Sequence, residues 1–422
     1  MGLNLTEKIL ARAAGKKTVA PGEILSIRVD KLMINDFVGA IVFKQFESLG
    51  AGKVWDPDRV LFAVDHKTPP ADVKTAEQIN AFRKYCKKYG ITRFGELGRH
   101  GICHQMMSEG FVLPGEVALG TDSHATMYGG LGAFSCGVTS SDAAVILATG
   151  EIWVQVPASV RFDISGPLPP AVTAKDIALK MLTTGPLTEF SYKAVEIEGE
   201  AIRNLSVGGR LVICNMAAEM DAKNGIIPGD EVTAKYLGAG PGQKAVEQRD
   251  PDAHYEKVFK LDVSGLKPLV ACPHAVNNVK EVREVKGTPI HQAFLGSCTN
   301  GRVEDLQQAA AILKGRKVHP DVRLLVVPAS QKVFAEAARL GLISTLLEAG
   351  ATLLTPSCAA CAGTGAGTIA AGERCVSTTN RNFKGRMGAE ESEVYLASAY
   401  TVAASAVAGV IEDPGVFIGK GV

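Results

Sequence analysis

The chain reads as an α/β protein built of three α/β/α domains. Short β-branched runs alternate along it with amphipathic stretches of helical spacing, the pattern of layered α/β folds. At 422 residues it is too long for one ordinary core. The strand–turn–helix pattern also begins afresh twice, at "ASVRFDISGPLPPAVTAKDIALKML" and at "PIHQAFLGSCTN". These restarts divide the chain into residues 1–157, 158–285 and 286–422.

Taken in order, "MGLNLTEKILARAAGKK" predicts a short amphipathic helix capped by Thr6, although Gly2 and Thr6 also satisfy a formal N-myristoylation pattern. "RVLFAV" (59–64) reads as a strand delivering Asp65 and His66 to a sheet edge. "AEQINAFRKYCKKYG" (76–90) reads as a helix stopped by Gly90, and "EVALGTDSH" (116–124) as a strand and its loop. "AAVILATGEIWV" (143–154) reads as one buried element, with Pro157 closing the first domain. The second domain holds the one prominent loop-like stretch, "GAGPGQKAVEQRDPDA" (238–253). In the third, "HQAFL" and "VRLLVVPAS" (322–330) read as strands, 331–349 as a helix, and "ATLLTPSC" (351–358) as a strand running into a cysteine turn.

Composition narrows the function. Hydrophobic residues make up 46%, charged residues 21%, and the formal net charge is +1. That balance is globular and carries no basic footprint for nucleic acid or an anionic membrane. The uncharged run Val394 to Ile411 reaches membrane-helix length, but it is rich in Ala, Ser and Thr and reads as a buried helix. Nine cysteines without a signal peptide point to a reducing compartment, and the expected location is cytoplasmic.

Cysteine spacing raises the chemical question. "TPSCAACAG" sets Cys358 and Cys361 three apart, and "GSCTNGR" puts Cys298 on a turn directly after a strand. Strand ends of an open α/β sheet share one edge, so the three could meet there. A redox pair, half a zinc site and an iron–sulfur site all fit the pair alone. Buried cysteines acting as small hydrophobes are the bland reading. Further clusters add acid–base groups: "VDHKTPP" supplies Asp65 and His66, "GICHQ" His104, and "GTDSHATMYGGLG" Asp122 and His124. A carboxylate beside an imidazole orients it and raises its pKa, as general acid–base work needs. "STTNRNFKGRMG" (377–388) sets Arg381 and Arg386 five apart in a polar loop. Such forks bind carboxylates bidentately and imply an acidic substrate; a surface ion pair is the dull alternative.

"GTDSH", "CNMAAE", "GSCTN", "PSCAAC" and "TNRNFKGRMG" together resemble, in order and over essentially the whole chain, the aconitase superfamily. The nearest resemblance within it is to the large subunits of two-chain isopropylmalate isomerases (3-isopropylmalate dehydratases) and homoaconitases. It implies three domains around a central cleft and a 4Fe–4S cluster held by Cys298, Cys358 and Cys361, with one iron lacking a protein ligand. It implies His66 with Asp65 as the acid that protonates a leaving hydroxyl. It further implies His104, Asp122 and Glu219 as groups hydrogen-bonding iron-bound water, with His124 nearby. Asn215 and Asn380 resemble donors to cluster sulfurs, and Arg381 and Arg386 resemble carboxylate anchors. The implied reaction is reversible dehydration of a 2-hydroxy polycarboxylic acid, foremost the interconversion of 2- and 3-isopropylmalate in leucine biosynthesis. Homoaconitate, citramalate, 2,3-dimethylmalate and maleate are the alternatives.

Two departures qualify the resemblance. Asn35, in "INDFVG", stands where aconitases carry glutamine and many isopropylmalate isomerases histidine, so the resemblance does not fix the substrate contacts on that side. The sequence ends at "VFIGKGV" without the swivelling domain, which in the family carries a serine base. A separate small subunit is therefore the expected partner, in a heterodimer or heterotetramer. Two rival readings are weaker. "TGAGTIA" (364–370) matches a dinucleotide pattern but does not directly leave a strand, nor is it followed at about 20 residues by a ribose-binding acid. An RNA-binding, cluster-free scaffold conflicts with the neutral charge and the intact acid–base set.

Overall fold

The structure, a computed structural model, describes residues 2–238, 248–363 and 365–418. Most of the loop-like run 238–253, the first residue of 364–370 and the last four residues of the chain lie outside these. As expected, the fold is α/β, with parallel sheets covered by helices.

Two of its sheets share one plan. In the first, Lys31–Asn35 is central; Val60–Ala63 and Arg93–Gly95 follow on one side, Val117–Gly120 and Phe134–Gly137 on the other, all parallel. In the third, Gln292–Leu295 is central; Arg323–Val326 and Thr352–Leu353 lie to one side, Arg374–Ser377 and Glu393–Ala397 to the other. In each sheet the order in which strands are added reverses beside the central strand, which opens a crevice at the carboxyl ends. Asn35 and Thr121 flank the first crevice, and Gly296 and Thr378 the second.

Leu269–Ala271 and Val279–Glu281 extend the third sheet antiparallel, with Val270 opposite Ala397. That sheet thus takes in residues upstream of the 285/286 boundary drawn from sequence. Antiparallel neighbours need no crossover helix, so no change of periodicity announces them. The second domain carries a smaller parallel sheet ordered Asn224–Ile226, Ala194–Glu198, Ser159–Ser165 and Lys257–Asp262. Ile24–Arg28 and Glu151–Gln155 pair antiparallel beside the first domain.

Local chemistry explains the element ends. Helix Val73–Tyr89 starts at Asp72, whose carboxylate accepts from Thr75 N at 2.8 Å, and stops at Gly90 with φ +73°. Helix Leu5–Ala13 is capped by Asn4 in a reciprocal box with Glu7, and Thr6 is buried inside it, contrary to expectation. Three runs expected as single elements each divide. Residues 143–154 split between helix Ser140–Thr149 and strand Glu151–Gln155 at Gly150. Residues 331–349 form two helices, Gln331–Arg339 and Leu342–Ala349, parted by Gly341 at φ +72°. The uncharged run 394–411 is strand Glu393–Ala397 followed by helix Ala399–Ala408, capped by Ser398. Among the described residues no helix is long and apolar enough to cross a membrane.

The domains share cores. Helix Val207–Met216 is buried at all ten positions and packs on the turn Ser123–Leu131. The turn's close contacts need the two glycines of "YGGLG": a Cβ on Gly129 would sit 1.7 Å from the Gly225 carbonyl oxygen in strand Asn224–Ile226. A Cβ on Gly130 would sit 2.8 Å from Leu211 N. An apolar group including Met33, Ile102, Met127, Leu211 and Cys298 seals the seam where all three domains meet.

Candidate functional site: facing sheet edges with thiols on one and acid–base groups on the other

The carboxyl edges of the first and third sheets meet. Cys358 N donates to the Asp65 carbonyl at 2.8 Å, Ile102 N to Ala329 O at 2.9 Å, and His100 Nε2 lies 2.9 Å from Thr355 Oγ1.

All three cysteines named from the motifs sit on this edge. Cys298 leaves the central strand of the third sheet, and Cys358 and Cys361 follow the strand Thr352–Leu353. Both loops hold a non-glycine residue in the left-handed region, Ser297 at φ +81° beside Cys298 and Ala359 at φ +45° beside Cys358. Such conformations cost about 1–3 kcal/mol each and cluster at functional sites. Asn215 and Asn380 aim side-chain amides at Cys298 Sγ, at 3.2 and 3.4 Å. Asn380 also donates to Asn215 Oδ1 at 3.2 Å, and its own Oδ1 lies 3.7 Å from Cys361 Sγ. Asn215 comes from the end of helix Val207–Met216 and Asn380 from the loop after strand Arg374–Ser377. Burial pushes the Cys358 thiol up to about 12. It raises that of Cys298 further still. Thiols held so are poor nucleophiles until a metal displaces their protons.

Opposite stand the acid–base groups. Asp65 is fully buried; its Oδ1 lies 2.9 Å from His66 Nδ1 and its Oδ2 accepts from Cys103 N at 2.7 Å. Asp36 collects the backbone N–H groups of Asp65, His66 and Lys67 at 2.9–3.3 Å, and so shapes the loop that presents His66. Burial alone would push His66 down, but Cys358, Asp65 and Asp36 outweigh it and hold the imidazole well above its ordinary pKa.

A second chain runs from His104 Nε2 to Asp122 Oδ1 (3.0 Å), on to His124 Nδ1 (3.1 Å), and from His124 Nε2 to Glu219 Oε1 (2.7 Å). Arg381 Nε closes it on Glu219 at 2.8 Å, and Tyr128 fixes the other nitrogen of His104 at 2.9 Å. Burial would raise Asp122, yet His104 and His124 hold its carboxyl well below the usual range. Burial would lower His124, yet Asp122 and Glu219 raise it.

Arg386 reaches over Phe383 toward the thiols, with Nη2 3.8 Å from Cys361 Sγ. Among the described residues its buried Nε has no partner, and neither has the buried Oδ1 of Asn35. Buried polar atoms of this kind are normally satisfied, and two of them at one cleft mark where a ligand's polar groups would go. The structure thus brings every residue named from the motifs to one region.

Sequence reasoning missed four others. Asp36 stood beside Asn35 at a strand end, and its acidity at that edge was the available signal. Tyr128, buried Lys175 and buried Arg302 carried none, because each reads as an ordinary helix or loop residue.

The cysteine set can be tested for the group it would hold. A single zinc ion bonds sulfur at about 2.3 Å, which requires its ligands to lie within about 4.6 Å of one another. Among the described residues the groups meeting a comparable limit of 4.8 Å are Asp65, His66 and Cys358, and His104, Asp122 and His124. The three thiols are not such a group, so they suit a polynuclear centre better than one ion. The glycine-rich run 365–370 leads through turns into strand Arg374–Ser377 with no helix opening on it, which removes the basis for a dinucleotide cradle.

Two facing parallel sheets, thiols on one edge and paired acids and imidazoles on the other, define an α/β enzyme with its cleft between domains. The chain belongs to the aconitase family: the family described as "Aconitase family (aconitate hydratase)" matches residues 7–289 and 275–409. Members of that family bind a 4Fe–4S cluster. The 3-isopropylmalate dehydratase large subunit of Moorella thermoacetica is 47% identical over 416 residues, covering 98% of this chain and 99% of that one. The proteins so named in Methanopyrus kandleri (large subunit 1) and Aquifex aeolicus are each 46% identical, covering 98% of this chain and 99% and 97% of their own lengths. Among solved structures, the holo-form crystal structure of Thermococcus kodakaraensis aconitase X matches with a TM-score of 0.50 at 12% identity, covering 84% of each chain. That likeness concerns the fold alone.

Proposed function

We propose that this chain is the large, cluster-bearing subunit of a hydro-lyase that interconverts 2- and 3-isopropylmalate by dehydration and rehydration. The observation that carries the reading is the convergence of three cysteines, two buried amides aimed at Cys298 Sγ, and two imidazole–carboxylate chains at one interdomain cleft. Near 46% identity over the full length to proteins named 3-isopropylmalate dehydratase large subunit supports the substrate.

Removing hydroxide beside a carboxylate is slow unless the departing charge is neutralised and a proton supplied. Cys298, Cys358 and Cys361 would hold a 4Fe–4S cluster that supplies Lewis acidity at an iron without a protein ligand. Arg386 and Arg381 bind the substrate's carboxylates, and the orphaned Nε of Arg386 gains its missing acceptor. Asn35 offers its unpaired Oδ1 to a substrate hydroxyl on the first-domain side. His66, protonated because Cys358 and the two aspartates raise its pKa, donates from Nε2 to the leaving hydroxyl while Asp65 and Asp36 hold Nδ1. His104, Asp122, His124 and Glu219 position the resulting water and share its protons along their chain. Asn215 and Asn380 hold the sulfur of Cys298, which restrains its geometry and tunes its basicity.

The base that abstracts the carbon-bound proton is assigned to a small subunit, consistent with relatives named as large subunits. The test is anaerobic reconstitution of this chain with iron, sulfide and the cognate small subunit, followed by assay for the unsaturated acid. Turnover of isopropylmalate above homoaconitate, citramalate, dimethylmalate and maleate is the expected result. Preference for another acid would move the assignment within the family, and no turnover of any would sink it.

A further inference from the structure

Behind the thiol edge stand two buried cations, Lys175 and Arg302, whose charged groups bond no carboxylate among the described residues; Asp305 reaches Arg302 only at its backbone N, at 2.9 Å. Lys175 is fully buried in the first turn of helix Ala174–Met181, where its charge opposes the helix dipole. Its Nζ donates to the carbonyls of Thr378 (3.0 Å) and Thr379 (2.6 Å) and lies 3.9 Å from the Met216 sulfur. The adjacent Asp176 is turned away, accepting from Thr173 and from Leu269 N. Arg302 is 6% exposed. It donates to the carbonyls of Cys298 (2.8 Å) and Thr299 (2.6 Å) and to Gln105 Oε1 (3.0 Å), and lies 3.6 Å from the Met127 sulfur.

A buried ammonium with no anionic partner costs several kcal/mol. Burial lowers the Lys175 pKa to about 8, while Cys298 and Cys361, then Asp305 and Glu219, act through space to keep it charged. Carbonyl oxygens alone are a poor substitute for the lost hydration. The arrangement makes physical sense once a permanent anion lies in front of it. A cluster with three thiolate ligands is such an anion, and it becomes more negative on taking up an electron.

We infer that Lys175 and Arg302 form a buried cationic backing that raises the reduction potential of the metal centre bound by Cys298, Cys358 and Cys361. The inference rests on the functional reading above. It assigns both as positioning and charge-tuning residues, since neither bonds a cysteine sulfur. Lys175 acts through the two carbonyls that lead into Asn380, and Arg302 through the carbonyl of Cys298 itself. Each therefore fixes one side of the Asn380–Cys298 contact as well as supplying charge.

The experiment is potentiometric titration of the anaerobically reconstituted chain, with iron and sulfide analysis, for Lys175→Met, Lys175→Arg, Arg302→Gln and Arg302→Lys. The charge-removing variants should retain cluster while their one-electron equilibrium shifts at least tenfold against the reduced form, about 59 mV. The charge-keeping variants should stay within about threefold of the parent. Neutral variants with full cluster and an unchanged potential would overturn the inference. So would equal shifts in charge-keeping and charge-removing variants. If Lys175→Met fails to fold, the Arg302 pair decides by the same criteria. A parent chain that takes up no iron would instead overturn the functional reading itself.

Discussion

Replacing Arg386 by lysine separates a carboxylate anchor from a structural arginine. The guanidinium lies over the Phe383 ring at 5.6 Å, its Nη2 is 3.8 Å from Cys361 Sγ, and its buried Nε has no partner among the described residues. An unsatisfied buried donor costs about 1–3 kcal/mol, which a bound carboxylate would recover. Lysine keeps the charge but cannot offer two parallel N–H groups. Losing one charge-assisted bond of about 1.5–3 kcal/mol corresponds to roughly a ten- to hundredfold fall in kcat/KM. Because the variant also removes the orphaned Nε–H, its thermal midpoint should not fall below the parent's. The assay pairs steady-state kinetics of the reconstituted two-chain enzyme with iron content and a melting curve. Unchanged efficiency with an intact cluster would refute the anchoring role. A large loss of thermal stability would mean that the arginine is structural.

Serine in place of Cys298, Cys358 or Cys361 should abolish iron uptake and visible colour, whereas Cys375→Ser, buried in the third sheet, should keep both. The purified chain alone should not hydrate its substrate, and activity should saturate as small subunit is added to about one equivalent. Phe43, fully buried and stacked on Tyr85 at 4.6 Å, should cost about 3–5 kcal/mol when cut to alanine, read by denaturant unfolding. Asp176, which burial raises to about 6 from the ordinary carboxylate range, favours the native state most in its neutral form. Its contribution is fully present below about pH 4 and is lost as pH rises through about 6. Asp176→Asn should therefore weaken the fall in urea midpoint between pH 5 and pH 7, and an unchanged pH profile would contradict that assignment.

Much of the site was legible because its residues sit in short loops directly after strands, where function concentrates in α/β folds. "GTDSH" follows the strand beside the central one in the first sheet and "GSCTN" follows the central strand of the third, so each motif opens at the crevice of its own sheet's carboxyl edge. What pattern could not supply was the reach between domains. Lys175 and Arg302 look like solvated cations in a helix and a loop, and only packing shows them buried against carbonyls. Asp36 was passed over beside Asn35 because its role is to collect backbone N–H groups, which no spacing reveals. Runs such as 331–349 were joined because apolar periodicity continues through Gly341, where a left-handed residue turns the chain. The two outer strands of the third sheet, Leu269–Ala271 and Val279–Glu281, are not legible as part of it because they arrive antiparallel, without a crossover helix to mark them.

The central claim is that Cys298, Cys358 and Cys361 hold a cluster with one iron open to substrate. Mössbauer spectroscopy of the chain reconstituted anaerobically with iron-57 and paired with its small subunit tests this most directly. The expected spectrum shows four irons per chain, one of which changes its parameters when isopropylmalate is added while three do not. A single zinc or iron ion per chain, or four irons all indifferent to the acid, would contradict the account.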